Sequence, residues 1–573
     1  MERLRHIVPL IGQLKTYRPG LFGKDVIAGL TIAIMLIPQA IAYAHLAGMP
    51  PHYGLYAGTL PLIVYGLLGS SPHVSVGPVA ISSILVLSGV SLIAEPMSET
   101  YISLVLGLGL LAGLFQWMLG VFQLGFLVNF LSHPVLNGFV SGAAVVIIGT
   151  QISHLLGLPS NGSAQLWGTI TYSLGHLSDI HVLTLAISIG CLLFLVLARR
   201  VSKVFPAALL VVLICGLMTY LGELHLSGVS IVGEIPDGLP HFVMPSLNYG
   251  QVVLLAPAVF TIGIMSSIEA LSIAKSLEMG QNNYEINPNA ELRAVGLAKV
   301  VGSFFQSLPS SVSFSRSAIS ATIGAQTGVA SILSGSIVAL GILFCTSALF
   351  YIPKATLAAI IVASVFRLVD WKRAWQLYKI QRTDFVTLIT TFLTTIFIGI
   401  QYGVLIGVLL SFGLLLYQSS RPRVMELGRL PNSNVYRNIR RFEEAVVEDS
   451  VIILRWDNQL FFANAEYFNS KVLSALRSRR MPPSHMIIDM SNVHDMDTTG
   501  LHVLQGLVQV MCGRDIQLLF AGTKGVVRDL FKRSNFYETC PECYHFLRVS
   551  DAMAFINQAE GYSWNEGAIQ SNS

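Results

Sequence analysis

After Lys24 the chain runs to Arg199 without a single Lys or Arg, and between Lys203 and Lys275 there is again none. A stretch that crosses a bilayer behaves this way, because a charge at mid-membrane costs on the order of 3 kcal/mol. The second gap nevertheless carries Glu269, in T-I-G-I-M-S-S-I-E-A. An acid kept inside an apolar run is a functional candidate by default.

Charge density changes sharply near Tyr417: residues 1–418 hold 18 Lys or Arg and 14 Asp or Glu, and the remaining 155 residues hold 17 of each. The pattern predicts a basic cytoplasmic leader at 1–24, a transmembrane domain at 25–418, a link at 419–431, a soluble domain at 432–560 and a tail at 561–573. The leader lacks the apolar region and small-residue cleavage site of a signal peptide. The net charge of +4 is spread over both parts with no basic stripe, which argues against nucleic-acid binding. Of the six Cys, Cys191, Cys215 and Cys345 lie in apolar segments. Cys540 and Cys543 form one C-x-x-C near His545, but without a second ligand pair it reads more readily as a turn than as a metal or redox site. Neither part carries the nucleophile–base set, metal cluster or phosphate loop of an enzyme.

Apolar stretches of about the length needed to span a bilayer recur near 25–46, 52–69, 76–93, 101–124, 135–156, 181–198, 204–221 and 252–274. Beyond a polar link at 275–292, six more follow near 293–308, 314–325, 328–351, 353–369, 383–400 and 402–418. On this count of about fourteen spans, Arg3–Lys24, Arg199–Lys203, Lys275–Arg293, Lys372–Arg382 and the chain from Arg421 share one side. The positive-inside bias makes that side the cytoplasm, with both termini and the soluble domain. Fourteen spans divide seven and seven, and an odd number per half makes the halves inverted repeats.

Each half has an irregular third segment, S-V-G-P-V-A-I-S-S at 75–83 and L-P-S-S-V-S-F-S-R-S at 308–317. Gly, Pro, Ser and β-branched residues suit extended backbone leading into a half-helix, which survives at membrane depth only where protein or a water-filled cavity satisfies it. Two half-helix N-termini facing one another would attract an anion near the midplane, between the repeats.

Arg316 is the one base between Lys299 and Lys354. It could supply donors and positive potential to an oxyanion, with Ser313, Ser315 and Ser317 adding hydroxyls; a snorkelling or fold-holding Arg and ordinary helix capping are the alternatives. Glu269 is a candidate proton carrier, with a Na⁺ ligand or a structural partner for Arg316 as alternatives. Gln39 and Tyr43 lie one turn apart just after Pro38, placed either to line the same cavity or to hold a neighbouring helix.

From Ser450, apolar β-rich runs V-I-I-L-R-W, M-I-I-D-M and L-L-F-A-G alternate with helical stretches, so a small α/β sheet domain is expected. Asp497 and Thr498 fall at a helix entrance, where Asp and Thr serve first as caps.

P-Q-A-I-A-Y-A-H-L-A-G-M-P-P-H-Y-G-L-Y-A at 38–57, the V-G-P-V-A that follows, N-G-F-V-S-G-A-A at 137–144 and S-F-S-R-S at 313–317 resemble the sulfate permease family. The later D-x-S-x-V-x-x-M-D-T-T-G-L resembles a STAS domain, and F-F-A-N-A-E-Y-F has the form typical of STAS domains fused to these transporters. The resemblance covers nearly the whole chain. It implies an α-helical membrane protein of inverted seven-span repeats divided into core and gate, usually a homodimer, working by elevator-like motion in the cell membrane. It places substrate at Gln39, Tyr43, Val79, Ala80, Ile81, Ser315 and Arg316, and coupling at Glu269, where Glu favours H⁺ over Na⁺. Thr498 matches the position phosphorylated in antagonist proteins, which points to a regulatory partner or a structural contact there. The expected function is H⁺-coupled uptake of a small oxyanion, sulfate first, with no other cofactor. Bicarbonate or C4-dicarboxylate transport and exchanger or channel-like behaviour are the alternatives. A nucleobase carrier would want a second carboxylate in the core spans.

Overall fold

A computed structural model describes residues 9–15, 17, 19–126, 132–159, 166–201, 206–236, 238–278, 286–344, 346–539 and 544–559. Cys345, Cys540 and Cys543 lie outside the described residues, as does the tail at 561–573. The chain forms two compact units, Met1–Ser411 and Phe412–Ser573.

The first unit is helical. Its elements include α1 (Pro19–Leu46), β1 (Val76–Gly77), α2 (Ala80–Val90), α3 (Glu99–Val121), α4 (His133–Leu156), α5 (Val182–Val201), α6 (Ala207–Leu221), α7 (Tyr249–Glu278), α8 (Pro288–Phe304), β2 (Ser311–Val312), α9 (Phe314–Ile323), α10 (Val329–Phe344), α11 (Lys354–Val365), α12 (Trp371–Ile380) and α13 (Arg382–Phe397), and α14 (Ile400–Ser420) begins in it and ends in the second unit. Among the described residues five helices are long and apolar enough to cross a bilayer alone, Leu21–Leu46, Glu99–Val121, His133–Leu156, Tyr249–Glu278 and Tyr402–Ser420. Several others, α2, α6 and α10 among them, are apolar but short. Length and apolarity alone therefore do not yield a count of fourteen.

Two local departures have backbone causes. The stretch at 52–69 is two helices, Pro51–Ala57 and Leu60–Leu68, because Pro61 cannot donate to a preceding turn and Thr59 takes a non-helical ψ of −100°. Pro38, by contrast, sits inside α1 without ending it.

The Ser- and Gly-rich segments do form extended backbone. β1 pairs antiparallel with β2, Val76 opposite Val312 and Gly77 opposite Ser311, and each strand runs directly into a short helix, α2 or α9. The strands satisfy each other's polar groups where no helix could. Strand-then-short-helix thus occurs twice, at β1–α2 and at β2–α9, with the two strands meeting antiparallel. Around this crossing helices approach closely: a Cβ on Gly296 of α8 would fall 2.8 Å from the Gly113 carbonyl of α3. Small residues here permit packing that side chains would block.

The second unit is a six-stranded sheet of β3 (Val424–Arg429), β4 (Tyr436–Asn438), β5 (Val451–Trp456), β6 (His485–Asp489), β7 (Gln517–Ala521) and β8 (His545–Phe546), in the order β4-β3-β5-β6-β7-β8. β5 to β8 are parallel and β3 is antiparallel to both neighbours. The period of two sorts each strand between two layers. Ile452, Leu454, Met486, Ile488 and Phe520 pack under α15 (Ala465–Arg477) and α16 (Thr498–Cys512), and Val451, Ile453, Ile487 and Leu519 pack on α18, following α17 (Gly525–Arg533), at Val549–Ala559. The sheet starts earlier than charge density suggested: 424–429, expected within the link at 419–431, is a strand bonded to β5 through Val424, Met425 and Glu426.

Candidate anion site

Arg316 stands in the first turn of α9, fully buried. Its Nη1 donates to Gln39 Oε1 of α1 at 2.9 Å and to the Pro78 carbonyl at 3.3 Å, and its Nε donates to Ser75 Oγ at 3.3 Å. Nη2 is buried with no hydrogen-bond partner. It lies beside Gly77, where an added Cβ would come 3.1 Å from it. A buried guanidinium nitrogen left unpaired is costly, and an oxyanion is the ligand that would satisfy it.

The backbone around Arg316 is tied across the two halves. Ser313 N donates to the Ser75 carbonyl at 3.0 Å, and Ser75 N donates to Ser317 Oγ at 2.9 Å. Val79 is the extended N-cap of α2 without a side-chain cap, so the N–H groups of Ala80 and Ile81 open the helix with no acceptor in the turn before them. Val79, Ala80, Ile81, Gln39 and Tyr43 are all buried. Ser315 is exposed, its Oγ 3.4 Å from Ser313 Oγ. Gln39 and Ser75 thus meet Arg316 directly, and the opening of α2 follows the strand that carries Gly77.

Glu269 and Arg316 do not pair. Among the described residues the ion pairs are Arg455–Asp457 and Arg479–Glu426, both in the second unit. Glu269 Oε2 instead accepts from Ser311 Oγ of β2 at 2.8 Å. From there a polar chain runs inward: Ser311 Oγ to Ser266 Oγ at 3.0 Å, and Lys299 Nζ to both Ser266 Oγ and Gln116 Oε1 at 2.6 Å. Lys299 of α8 is fully buried, an ammonium two hydroxyls away from the carboxylate. Sequence reading passed over it, although an ammonium inside A-V-G-L-A-K-V-V-G obeys the same rule that exposed Glu269.

A second acid also proves buried. Glu291, expected in the polar link at 275–292, is at 0% exposure in the first turn of α8. Tyr65 Oη donates to it, and Ser70 donates through N at 3.1 Å and Oγ at 2.8 Å, which is why it tolerates burial. Asp25 is likewise buried, accepting from Gln326 N at 2.7 Å and Thr327 Oγ1 at 2.6 Å in the turn before α10.

In the second unit Asp497 caps α16: Oδ1 accepts from Gly500 N and Oδ2 from Phe462 N, each at 2.8 Å. Thr498, the first residue of that helix, is exposed.

Comparison with known proteins agrees with both units. Residues 22–391 match the sulfate permease family, and residues 444–552 match the STAS domain. Sulfate transporter 4.1, chloroplastic, of Arabidopsis thaliana is 34% identical over 565 residues, spanning 96% of this chain and 82% of its own. High affinity sulfate transporter 2 of Stylosanthes hamata is 34% identical over 574 residues, with 96% and 86% covered. The murine Solute Carrier 26 family member A9 anion transporter, in the inward-facing state, shares the fold at a TM-score of 0.89 and 23% identity, with 97% of this chain and 95% of that one covered. The chain belongs to the sulfate permease family, a helical membrane transporter with a C-terminal STAS domain.

Proposed function

We propose that the chain is a secondary active transporter of a small inorganic oxyanion, sulfate first, driven by H⁺ symport. The observation that carries this reading is the unpartnered Nη2 of Arg316, buried where β1 and β2 cross and beside the opening turn of α2. Gln39, Tyr43, Val79, Ala80, Ile81, Ser315 and Arg316 form the substrate site in this reading. Full-length relatives named as sulfate transporters support the choice of anion.

Glu269 carries the coupling proton. Lys299 argues for H⁺ over Na⁺, because a buried ammonium two hydroxyls from the carboxylate, through Ser266 and Ser311, repels a second cation. The link to substrate is short: Ser311, which binds Glu269, belongs to β2, and β2 leads into the turn of α9 that holds Arg316. Protonating Glu269 weakens its acceptor oxygen, loosens Ser311 and shifts the strand that orients the guanidinium.

Residues 25–418 carry transport and 432–560 a regulatory domain, with both termini cytoplasmic, in the cell membrane, as a homodimer whose core moves elevator-like against the gate. Thr498, exposed beside the capped turn, is the contact or modification point for a regulatory partner.

The test is uptake of labelled sulfate by purified protein in proteoliposomes. An imposed inward proton gradient drives accumulation, a protonophore abolishes it, and Glu269→Gln loses accumulation while retaining sulfate binding. Accumulation by Glu269→Gln at the wild-type level, or accumulation driven by Na⁺ alone, refutes the coupling. Bicarbonate or C4-dicarboxylates displacing sulfate at lower concentration would reassign the substrate.

A further inference from the structure

Helix α12, W-K-R-A-W-Q-L-Y-K-I, has no buried residue. At about 100° per residue its side chains divide into four sectors, with Arg373 and Ile380 on the one opposite the aromatic rings. Ala374 and Leu377, the two that are not fully exposed, face the protein. Trp371, Trp375 and Tyr378 share the next sector, and Lys372, Gln376 and Lys379 lie beyond the rings. Trp371 and Tyr378 run along α13, with ring centroids 6.3 Å from Phe392 and 5.2 Å from Phe385, so the two helices pack antiparallel. Even so, Trp371 is 68% exposed and Trp375 61%. Trp375 stacks on Tyr378 at 5.7 Å, and Lys379 Nζ lies 5.5 Å over the Trp375 ring.

The charge around these rings is one-sided. Residues 367–382 contain Arg367, Lys372, Arg373, Lys379 and Arg382 against a single acid, Asp370, which is occupied in capping Arg373 N at 3.0 Å. Rings and bases side by side match the headgroup layer of a bilayer, where indoles rest at the interface and Lys and Arg reach for phosphate. On α13, which the rings touch through Phe385 and Phe392, an apolar row of Val386, Leu393 and Phe397 is exposed. Lipid therefore fits this face better than a soluble partner, which would leave that row uncovered.

We propose that α12 is a binding site for anionic phospholipid headgroups. Lys372 and Lys379, beside the rings, contact the phosphates, Arg373 on the far side adds positive potential, and Trp371, Trp375 and Tyr378 seat the helix in the interface. The inference rests on the membrane reading of the first unit and is independent of which anion is transported. Because α12 joins α11 to α13, headgroup binding fixes one connection between packed helices.

The test uses the full chain in nanodiscs containing brominated phosphatidylglycerol or brominated phosphatidylcholine at equal mole fraction. Tryptophan quenching is read against Trp371→Phe/Trp375→Phe, which isolates the α12 signal from the remaining Trp. Phosphatidylglycerol is expected to quench the α12 signal more strongly. Lys372→Gln/Arg373→Gln/Lys379→Gln should erase the difference, lowering the preference for the anionic lipid by up to about a hundredfold, while quenching by phosphatidylcholine persists. The three positions are exposed, and an unchanged thermal melt verifies that the variant folds. A triple variant that keeps the preference, or a wild type that shows none, overturns the proposal. Absence of quenching by either lipid also overturns it, since the face would then be covered by protein, whether a second copy or the STAS domain.

Discussion

Arg316→Ala separates the two roles of one guanidinium. Within the protein it removes donors from Gln39 Oε1, Ser75 Oγ and the Pro78 carbonyl. Only the bond to Gln39, at 2.9 Å, is short, so the structural loss is dominated by one orphaned amide oxygen and amounts to about 2–4 kcal/mol in all. Toward substrate it removes Nη2, which no protein atom satisfies, and the charge behind it. One charge-assisted hydrogen bond is worth about 1.5–3 kcal/mol, which converts to a Kd raised roughly 10- to 150-fold. Arg316→Lys keeps the charge, but its three donors face three protein acceptors already present, so it should behave more like Ala than like Arg. The assay is calorimetric sulfate binding to detergent-purified protein, with ligand-free melting to establish folding.

Gln39→Glu completes the test, because it places a fixed carboxylate at the position now 2.9 Å from Nη1. That variant should fold and melt at least as well as the wild type, yet bind sulfate poorly, since the guanidinium is already neutralised. Wild-type affinity in either folded Arg316→Ala or Gln39→Glu refutes the assignment and leaves Arg316 as a strut between α1 and α9.

Lys299→Met takes the ammonium from Ser266 and Gln116 and leaves Glu269 without a neighbouring cation. Sulfate uptake should become stimulated by Na⁺, and uptake indifferent to Na⁺ in a folded variant would show that Lys299 does not exclude that ion. Cys191 of α5 and Cys215 of α6 stand with Sγ atoms 3.4 Å apart, so diamide should join them. Peptide mapping should then show both thiols protected from alkylation, and full alkylation after treatment would contradict the packing of these helices. In the STAS domain His545 stacks on Phe520 at 5.0 Å, and burial, with repulsion from Arg528, pushes its pKa down to about 4. The unfolded chain takes up that proton near pH 6.5 and the folded domain does not. Stability should therefore fall by about 1–2 kcal/mol as pH drops from about 6.5 to about 4, and level off below. Melting of His545→Phe across that window should be flatter; an identical slope would mean another group titrates.

What could be read without coordinates followed the physics that acts along the chain. Glu269 was visible because a charge in an apolar run violates the cost of burial locally, and the α/β character of the STAS domain was visible because its apolar β-rich runs and the helical stretches between them are local. Lys299 obeyed the same rule and was missed for a positional reason. It lies six residues past Arg293 and eight past Glu291, so its helix appeared to begin in a polar link when Glu291 is in fact buried against Tyr65 and Ser70. Residues 424–429 were missed similarly, since M-E-L-G-R carries link-like polarity although it pairs with β5.

The serines mark the deeper limit. Ser, Gly and Pro at 75–83 and 308–317 announced irregular backbone, but nothing local says that Gly77 opposes Ser311. That register, between residues more than two hundred positions apart, brings Ser75 to Arg316 and sets β2 so that Ser311 reaches Glu269. A strand slipped by one residue would turn Ser311 away from Glu269 and carry Val312 toward it. The candidate anion site and the candidate proton site are joined by two residues of antiparallel sheet, a contact that depends on both halves of the chain at once and that no window of sequence contains.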